Sequence, residues 1–369
     1  MKEKVKYLLI FIPISSLLSH YYQKPTLVFI TSALAIIPLA VFMTSLTDKL
    51  ASYLGNSLGG LLNVTFGNAT ELIISLFAIM DGLLNVVKAE ITGSIIMNLL
   101  LVPGLSFFIG GLKHRTQSYD RLLAITNSAM LVLAAIGMLV PAIFYFYSPN
   151  IKTLVLGKLS IGVGLILFIT YLASLYFTLV IHEKEKSEPK REISRKGVTK
   201  KVAGLFLITI LISYEAKILV GSISGISEAL NISPVFIGVI ILPIIANVAE
   251  NYTAIQMARA DNIDMSINIA IGSSVQVALF LVPLLIFISH IISRPMNVLF
   301  NILEVSSIVM AVLAINVVYL QGKTNWFEGL QLCAVYFIIA IAFYFFFFFF
   351  AYLSIRDNNF LTRIDNIIR

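Results

Sequence analysis

Apolar runs of about 20 residues, the length a helix needs to cross a bilayer, recur along nearly the whole chain and leave no room for a soluble domain. The expected fold is an all-α integral membrane protein of about eleven transmembrane helices. The spans fall at 5–22, 26–47, 57–80, 90–111, 122–147, 157–181, 202–223, 233–258, 265–290, 297–320 and 326–353. Composition agrees: 12% of the 369 residues are charged, against about 25% in an ordinary soluble domain.

The first span is read as a retained helix. No small-residue cleavage site follows it, and Tyr21, Tyr22 and Lys24 have the character of an interfacial anchor. The single cysteine, Cys333, lies in the last apolar span and reads as a small core or lipid-facing residue, which excludes disulfides and thiol catalysis.

The formal charge of +7 does not form a patch on a soluble domain, so membrane lipid is the expected surrounding and nucleic acid is not a partner. The charge reports topology instead. Lys2, Lys4 and Lys6 precede the first span, and Lys113, Arg115 and Arg121 surround the fourth loop. The sixth loop carries Lys184, Lys186, Lys190, Arg191, Arg195, Lys196, Lys200 and Lys201. Alternation along eleven spans puts all three on one side, which the positive-inside rule makes cytoplasmic. The N-terminus is then cytoplasmic and the C-terminus outside, although Arg356, Arg363 and Arg369 on the tail pull the other way.

The most informative comparison sets Gly67-Asn68-Ala69-Thr70-Glu71 beside Ala246-Asn247-Val248-Ala249-Glu250. Each places a carboxylate three residues after an asparagine inside an apolar span. The same offset, 179 residues, carries Gly59 onto Gly238, Gly93 onto Gly272 and Ser94 onto Ser273. Such agreement marks an internal duplication. The expected organisation is an extra N-terminal helix at 1–25, a first five-helix repeat at 26–181, a charged cytoplasmic linker at 182–201 and a second repeat at 202–369. Five spans per copy is an odd number, so the second copy enters the membrane from the opposite side. Inverted repeats of this kind are the mark of secondary transporters, whose site lies at the midplane where broken helices meet. Gly59, Gly60 and Gly67 in one copy, and Pro234, Gly238 and Pro243 in the other, are where those helices are expected to unwind.

A charged side chain at the centre of a membrane helix costs about 2.5 to 3.5 kcal/mol on insertion scales, so Glu71 and Glu250 need a reason to be there. Residues three apart share a helix face, which sets Asn68 beside Glu71 and Asn247 beside Glu250. The result is an all-oxygen site of the kind hard cations such as calcium take. Zinc and copper would lack the histidine or cysteine ligands they prefer. Two buried carboxylates repel each other, so a site without metal takes up protons. A divalent ion neutralises both acids, and so do two protons, which makes metal and protons alternative occupants. Ser94 and Asn98 in one copy, and Ser273, Ser274 and Gln276 in the other, supply further polar lining. Glu215 and Glu304 are also intramembrane acids. Each is read either as a proton relay or as structural, Glu215 paired with Lys217 and Glu304 in a hydrogen bond.

These residues resemble the calcium/proton antiporter (CAX) family of the cation/calcium exchanger superfamily. GGLLNVTFGNATELIISLFA, residues 59–78, is similar to its first signature, and LPIIANVAEN, residues 242–251, to its second. GKTNWFEG, residues 322–329, resembles the start of the family's last helix. The resemblance implies calcium as transported substrate and protons as counter-ion, with no cofactor. It also implies that Glu71 and Glu250 bind the cation, that Asn68 and Asn247 coordinate or gate it, and that Ser94, Asn98, Ser273 and Gln276 support it. Sodium/calcium exchangers show Thr-Ser-x-Pro-Glu at the first motif, so Gly67-Asn68-Ala69-Thr70 favours the proton-coupled branch. The second motif departs from the family's Gly-Asn-Ala-Ala-Glu-His: Ala246 replaces a glycine and Asn251 a titratable histidine.

An intramembrane enzyme is not expected. His182-Glu183, the nearest thing to a metal motif, lies in the linker without the second histidine of a zinc-protease helix. Manganese, sodium or potassium remain alternative cations, and a channel is the alternative mechanism. A chain without a targeting extension fits a prokaryotic plasma membrane, and a homo-oligomer stays open.

Overall fold

The computed structural model describes residues 5–22, 24–148, 153–177 and 195–356. His182, Glu183, the rest of the linker up to residue 194 and the C-terminal tail from 357 lie outside them.

Among the described residues, eight helices are long and apolar enough to cross a membrane, or nine if Ile223–Leu230 and Pro234–Ala246 are taken as one broken span. In chain order the helices are α1 (Phe11–Leu17), α2 (Pro25–Gly67), α3 (Ala69–Met80), α4 (Leu84–His114), α5 (Arg121–Tyr147), α6 (Thr153–Tyr176) and α7 (Arg195–Gly221). There follow α8 (Ile223–Leu230), α9 (Pro234–Ala246), α10 (Val248–Arg259), α11 (Ile263–Ile291), α12 (Ile302–Tyr319) and α13 (Trp326–Arg356).

The structure differs from the sequence expectation in three places. The spans expected at 26–47 and 57–80 are not separated by a loop, because α2 runs unbroken for 43 residues. At 1.5 Å per residue it is about 65 Å long, twice the thickness of the hydrocarbon. The expected loop, residues 48–56, contains no proline and one glycine, Gly55, which costs a helix only about 1 kcal/mol, so the helix continues through it. The interruption comes instead at Asn68, and α3, with 12 residues, is too short to cross alone. The fold is also not wholly helical. A ribbon of β1 (Thr116–Ser118) and β2 (Lys323–Asn325) pairs antiparallel, with Gln117 opposite Thr324. It satisfies the backbone groups of the two loops leaving α4 and entering α13.

The chain forms two compact units. The first comprises residues 1–83, 169–231 and 244–249. Its core joins α2 to α7 through Leu39, Met43, Leu50, Leu205 and Ile212, with Ala69 of α3 completing it. Ile12 of α1 packs on the same cluster. The second unit comprises residues 84–168, 232–243 and 250–369. There α4 packs on α13, with the buried Cys333 against Gly104, and α12 packs on α5.

Three prolines in this second unit share one local device. Pro103, Pro243 and Pro283 have no N–H and crowd the carbonyl four residues back. In each case the preceding turn widens to a π-turn: Met97–Leu101, Ile237–Ile241 and Val277–Leu281. The residue just before each proline then bonds five residues back, Val102 to Met97, Leu242 to Ile237 and Val282 to Val277.

The ribbon is fixed by Gln117, whose Nε2 donates to the Ala258 carbonyl at 2.9 Å and to Asp261 Oδ1 at 2.8 Å. Nearby, the Tyr119 phenol donates to the Val318 carbonyl at 2.9 Å. Burial, reinforced by the Glu328 carboxylate, pushes this phenol up to about 12, so it remains a donor at physiological pH. Gln117→Ala removes two hydrogen bonds, one of them to the Asp261 carboxylate, and is expected to cost about 1–3 kcal/mol. A lower melting midpoint in detergent, with the helical circular dichroism unchanged at low temperature, is the check.

Candidate functional site

Both motif asparagines interrupt a helix. Asn68 leaves the helical region with φ −96° and ψ 20°, and α3 starts immediately after it. Asn247 is the single turn residue between α9 and α10. Asparagine suits such a place because its side chain competes with the backbone for hydrogen bonds. The glycine before Asn68 weakens the helix further. No glycine precedes Asn247, yet Ala246 stays helical and the break falls one residue later, so the extra methyl is accommodated. Glu71 and Glu250 occupy the same position, third in the helix beyond each break. Unpaired backbone N–H groups and the positive end of the helix dipole favour a carboxylate there.

In the first unit, Asn68, Thr70 and Glu71 are all buried, Glu71 to 1% exposure. Asn247, also buried, donates from Nδ2 to Glu71 Oε1 at 2.6 Å. The sequence reading paired each acid with the asparagine of its own motif. The structure brings Glu71 an amide from the other motif.

The second unit holds Ser94, Asn98, Ser273, Gln276 and Glu250. Asn98 Nδ2 donates to Ser273 Oγ at 3.0 Å, joining α4 to α11, with both residues buried. Asn98 sits in the first π-turn and Gln276 directly before the last. Ser94 and Ser274 are buried, whereas Gln276 and Glu250 are half-buried. Asn251, at the place of the family's histidine, reaches Met97 Sδ at 3.6 Å.

Two residues escaped the sequence reading. Glu90 is buried to 2% exposure one turn before Ser94, so Glu90, Ser94 and Asn98 line one face of α4 at four-residue spacing. Lys88 donates to Asn297 Oδ1 and to the Leu299 carbonyl, both at 2.6 Å. The expected span began at 90, which left both at its rim; the spacing to Ser94 and Asn98 was the available signal.

The two remaining acids have structural partners. Glu304 forms a capping box: its N–H donates to Asn301 Oδ1 at 2.9 Å and its Oε2 accepts from the Asn301 N–H at 2.8 Å. Glu215 meets Ser15, with its two oxygens 2.9 and 2.8 Å from Oγ, and not Lys217. Residues two apart project from different faces of a helix, and Lys217 is exposed.

Apolar helices interrupted at buried amides, each interruption followed by an acid, make up the architecture of a secondary membrane transporter. The sequence profile of the sodium/calcium exchanger protein family matches residues 24–180 and again 200–352. The chain belongs to that family. It is 38% identical over 355 residues to the Ca(2+)/H(+) antiporter of Synechocystis sp., covering 91% of this chain and 95% of that one. Against the Ca(2+)/H(+) antiporter ChaA of Bacillus subtilis it is 39% identical over 340 residues, covering 90% and 96%. The solved structure of native YfkE superposes with a TM-score of 0.81 at 36% identity, covering 94% of this chain and all of that one.

Proposed function

We propose that this protein is a calcium/proton antiporter in which Glu71 and Glu250 together bind the transported cation. The observation that carries the reading is the pair of helix breaks at Asn68 and Asn247, each with an acid as the third residue beyond it. The relatives bearing the name Ca(2+)/H(+) antiporter support the choice of ions.

Two carboxylates supply the charge that balances a divalent ion, and oxygens of Asn68, Asn247, Ser94, Asn98, Ser273 and Gln276 complete its shell. An amide can turn either face to a neighbour. Asn247 therefore offers Glu71 an N–H when no cation is bound and offers its oxygen to the cation when one is. Calcium and protons neutralise the acids in turn. If only neutral states exchange between the two faces, calcium movement is tied to proton countermovement. The proposed architecture is an extra N-terminal helix followed by two inverted repeats, 26–181 and 202–369, around this site. The N-terminus is cytoplasmic, the C-terminus outside, and the membrane a prokaryotic plasma membrane.

Reconstituted vesicles with an imposed pH gradient test the reading. Uphill calcium uptake that collapses with a protonophore is the expected result. Calcium that merely follows its own gradient identifies a channel instead. Faster uptake of manganese, sodium or potassium reassigns the cation.

A further inference from the structure

Glu215 is fully buried in α7 and has no place in the proposed cation site. Its carboxyl oxygens lie 2.9 and 2.8 Å from Oγ of Ser15 on α1, which is also fully buried. The same Oγ is 2.9 Å from the Ile12 carbonyl. One residue along each helix, Ser16 Oγ and the Tyr214 phenol stand 2.7 Å apart. Two adjacent side-chain contacts thus join α1 to α7, within the unit that carries Glu71.

Counting hydrogens decides the charge of this acid. A serine hydroxyl has one hydrogen, and three acceptor oxygens crowd Ser15. An ionised Glu215 would be an anion removed from water and held by at most that one hydrogen, a burial no single hydroxyl offsets. Among the described residues no cation pairs with it. The charged or titratable groups on the surrounding elements include His20 in the π-turn Leu18–Tyr22 after α1, Lys24 before α2, Asp48 and Lys49 on α2, Glu71 on α3, Tyr214 and Lys217 on α7 and Glu228 on α8. Among the described residues none of them forms an ion pair or a hydrogen bond with Glu215, whose side-chain partner is the Ser15 hydroxyl. A protonated carboxyl closes the count. Its O–H donates to Ser15 Oγ, and the Ser15 hydrogen goes to the Ile12 carbonyl.

We infer that Glu215 keeps its proton throughout the working cycle, acting with Ser15 as a neutral latch that docks α1 and positions the unit bearing Glu71 for exchange. Glu215 is therefore a second proton-holding acid, separate from those that trade protons for the cation. The positioning half of this inference rests on the antiporter reading; the protonation half does not.

Infrared spectroscopy in lipid at mildly acid pH, above the ordinary carboxylate range, tests the protonation. The difference between wild type and Glu215→Gln is expected to contain a protonated-carboxyl C=O band that shifts in deuterated buffer. Glutamine keeps a donor for Ser15, so Glu215→Gln is expected to melt within error of wild type at acid pH, while Glu215→Ala and Ser15→Ala melt lower. The sign of the pH effect follows from linkage. Unfolding releases a proton that only the folded state retains, so the wild-type midpoint falls relative to Glu215→Gln as pH rises above the ordinary carboxylate range. Absence of the band, or Glu215→Gln melting as low as Glu215→Ala, overturns the latch. For positioning, Ser15→Ala is expected to lower the maximal calcium exchange rate severalfold with KM unchanged, and Glu215→Gln to leave both unchanged. An unaffected rate in Ser15→Ala overturns that role. The spectroscopic and melting results do not depend on transport, so they test the latch even if the exchange reading fails.

Discussion

Glu71→Gln is expected to abolish calcium accumulation driven by a pH gradient while the protein stays folded. Glutamine fills the same volume and can turn its oxygen toward the Asn247 N–H, so the buried hydrogen bond survives. What is lost is one of the two negative charges that balance a divalent ion. A buried charge left without its partner costs about 3–5 kcal/mol, which is about a hundredfold or more in affinity. Glu250→Gln is expected to act in the same direction. Glu71 is buried to 1% exposure and Glu250 only half-buried, so the first substitution should be the more severe, because solvent screens the second acid. Calcium uptake and isothermal calcium binding on each purified variant provide the measurement. Wild-type uptake by both variants would remove these acids from the site.

Gly93→Ala is expected to be the most damaging conservative change to the fold. A Cβ at this position would run into the Val239 carbonyl oxygen and stand 2.7 Å from Pro243 Cγ. Val239 is the residue four back from Pro243, whose carbonyl the proline ring pushes outward. The reciprocal approach is equally close, since a Cβ at Gly238 would come 2.6 Å from Ala89 Cβ. Neither backbone can yield without parting α4 from α9, and overpacking of this kind costs about 1–3 kcal/mol or more. Recovery of monodisperse protein after detergent extraction should fall sharply for Gly93→Ala. Gly272→Ala is the control, because nothing lies within 4 Å of the Cβ it would add. Equal recovery of the two variants would contradict the packing account.

This second contrast shows where the sequence was and was not legible. Gly93 and Gly272 are partners in the 179-residue repeat, and nothing local distinguishes them. Only the neighbour against each decides that one is indispensable for close approach and the other is not. The breaks at Asn68 and Asn247 were closer to the surface of the sequence. The asparagine and the out-of-place acid are local signals, yet the unwinding expected at Gly59 and Gly60 does not occur, because α2 runs through both, and in the second copy the break falls at Asn247, past Pro234, Gly238 and Pro243. The loop expected after residue 47 is absent, because a helix can leave the membrane without ending and no proline interrupts residues 48–56. The π-turns were latent in Pro103, Pro243 and Pro283 but are visible only once the displaced hydrogen bonds are traced.

By itself the sequence determined a membrane-embedded helical chain, a duplicated motif and two acids too costly to be incidental, because hydrophobic transfer and charge burial depend on residue type and order along one chain. The tertiary structure decided which groups each acid meets. Glu71 takes its amide from Asn247, Glu215 is bound to Ser15 rather than Lys217, and Glu304 caps a helix through Asn301. The first two of these partners lie 176 and 200 residues away along the chain. A hydrogen bond depends on distance and direction in space, and those are set only when the helices pack.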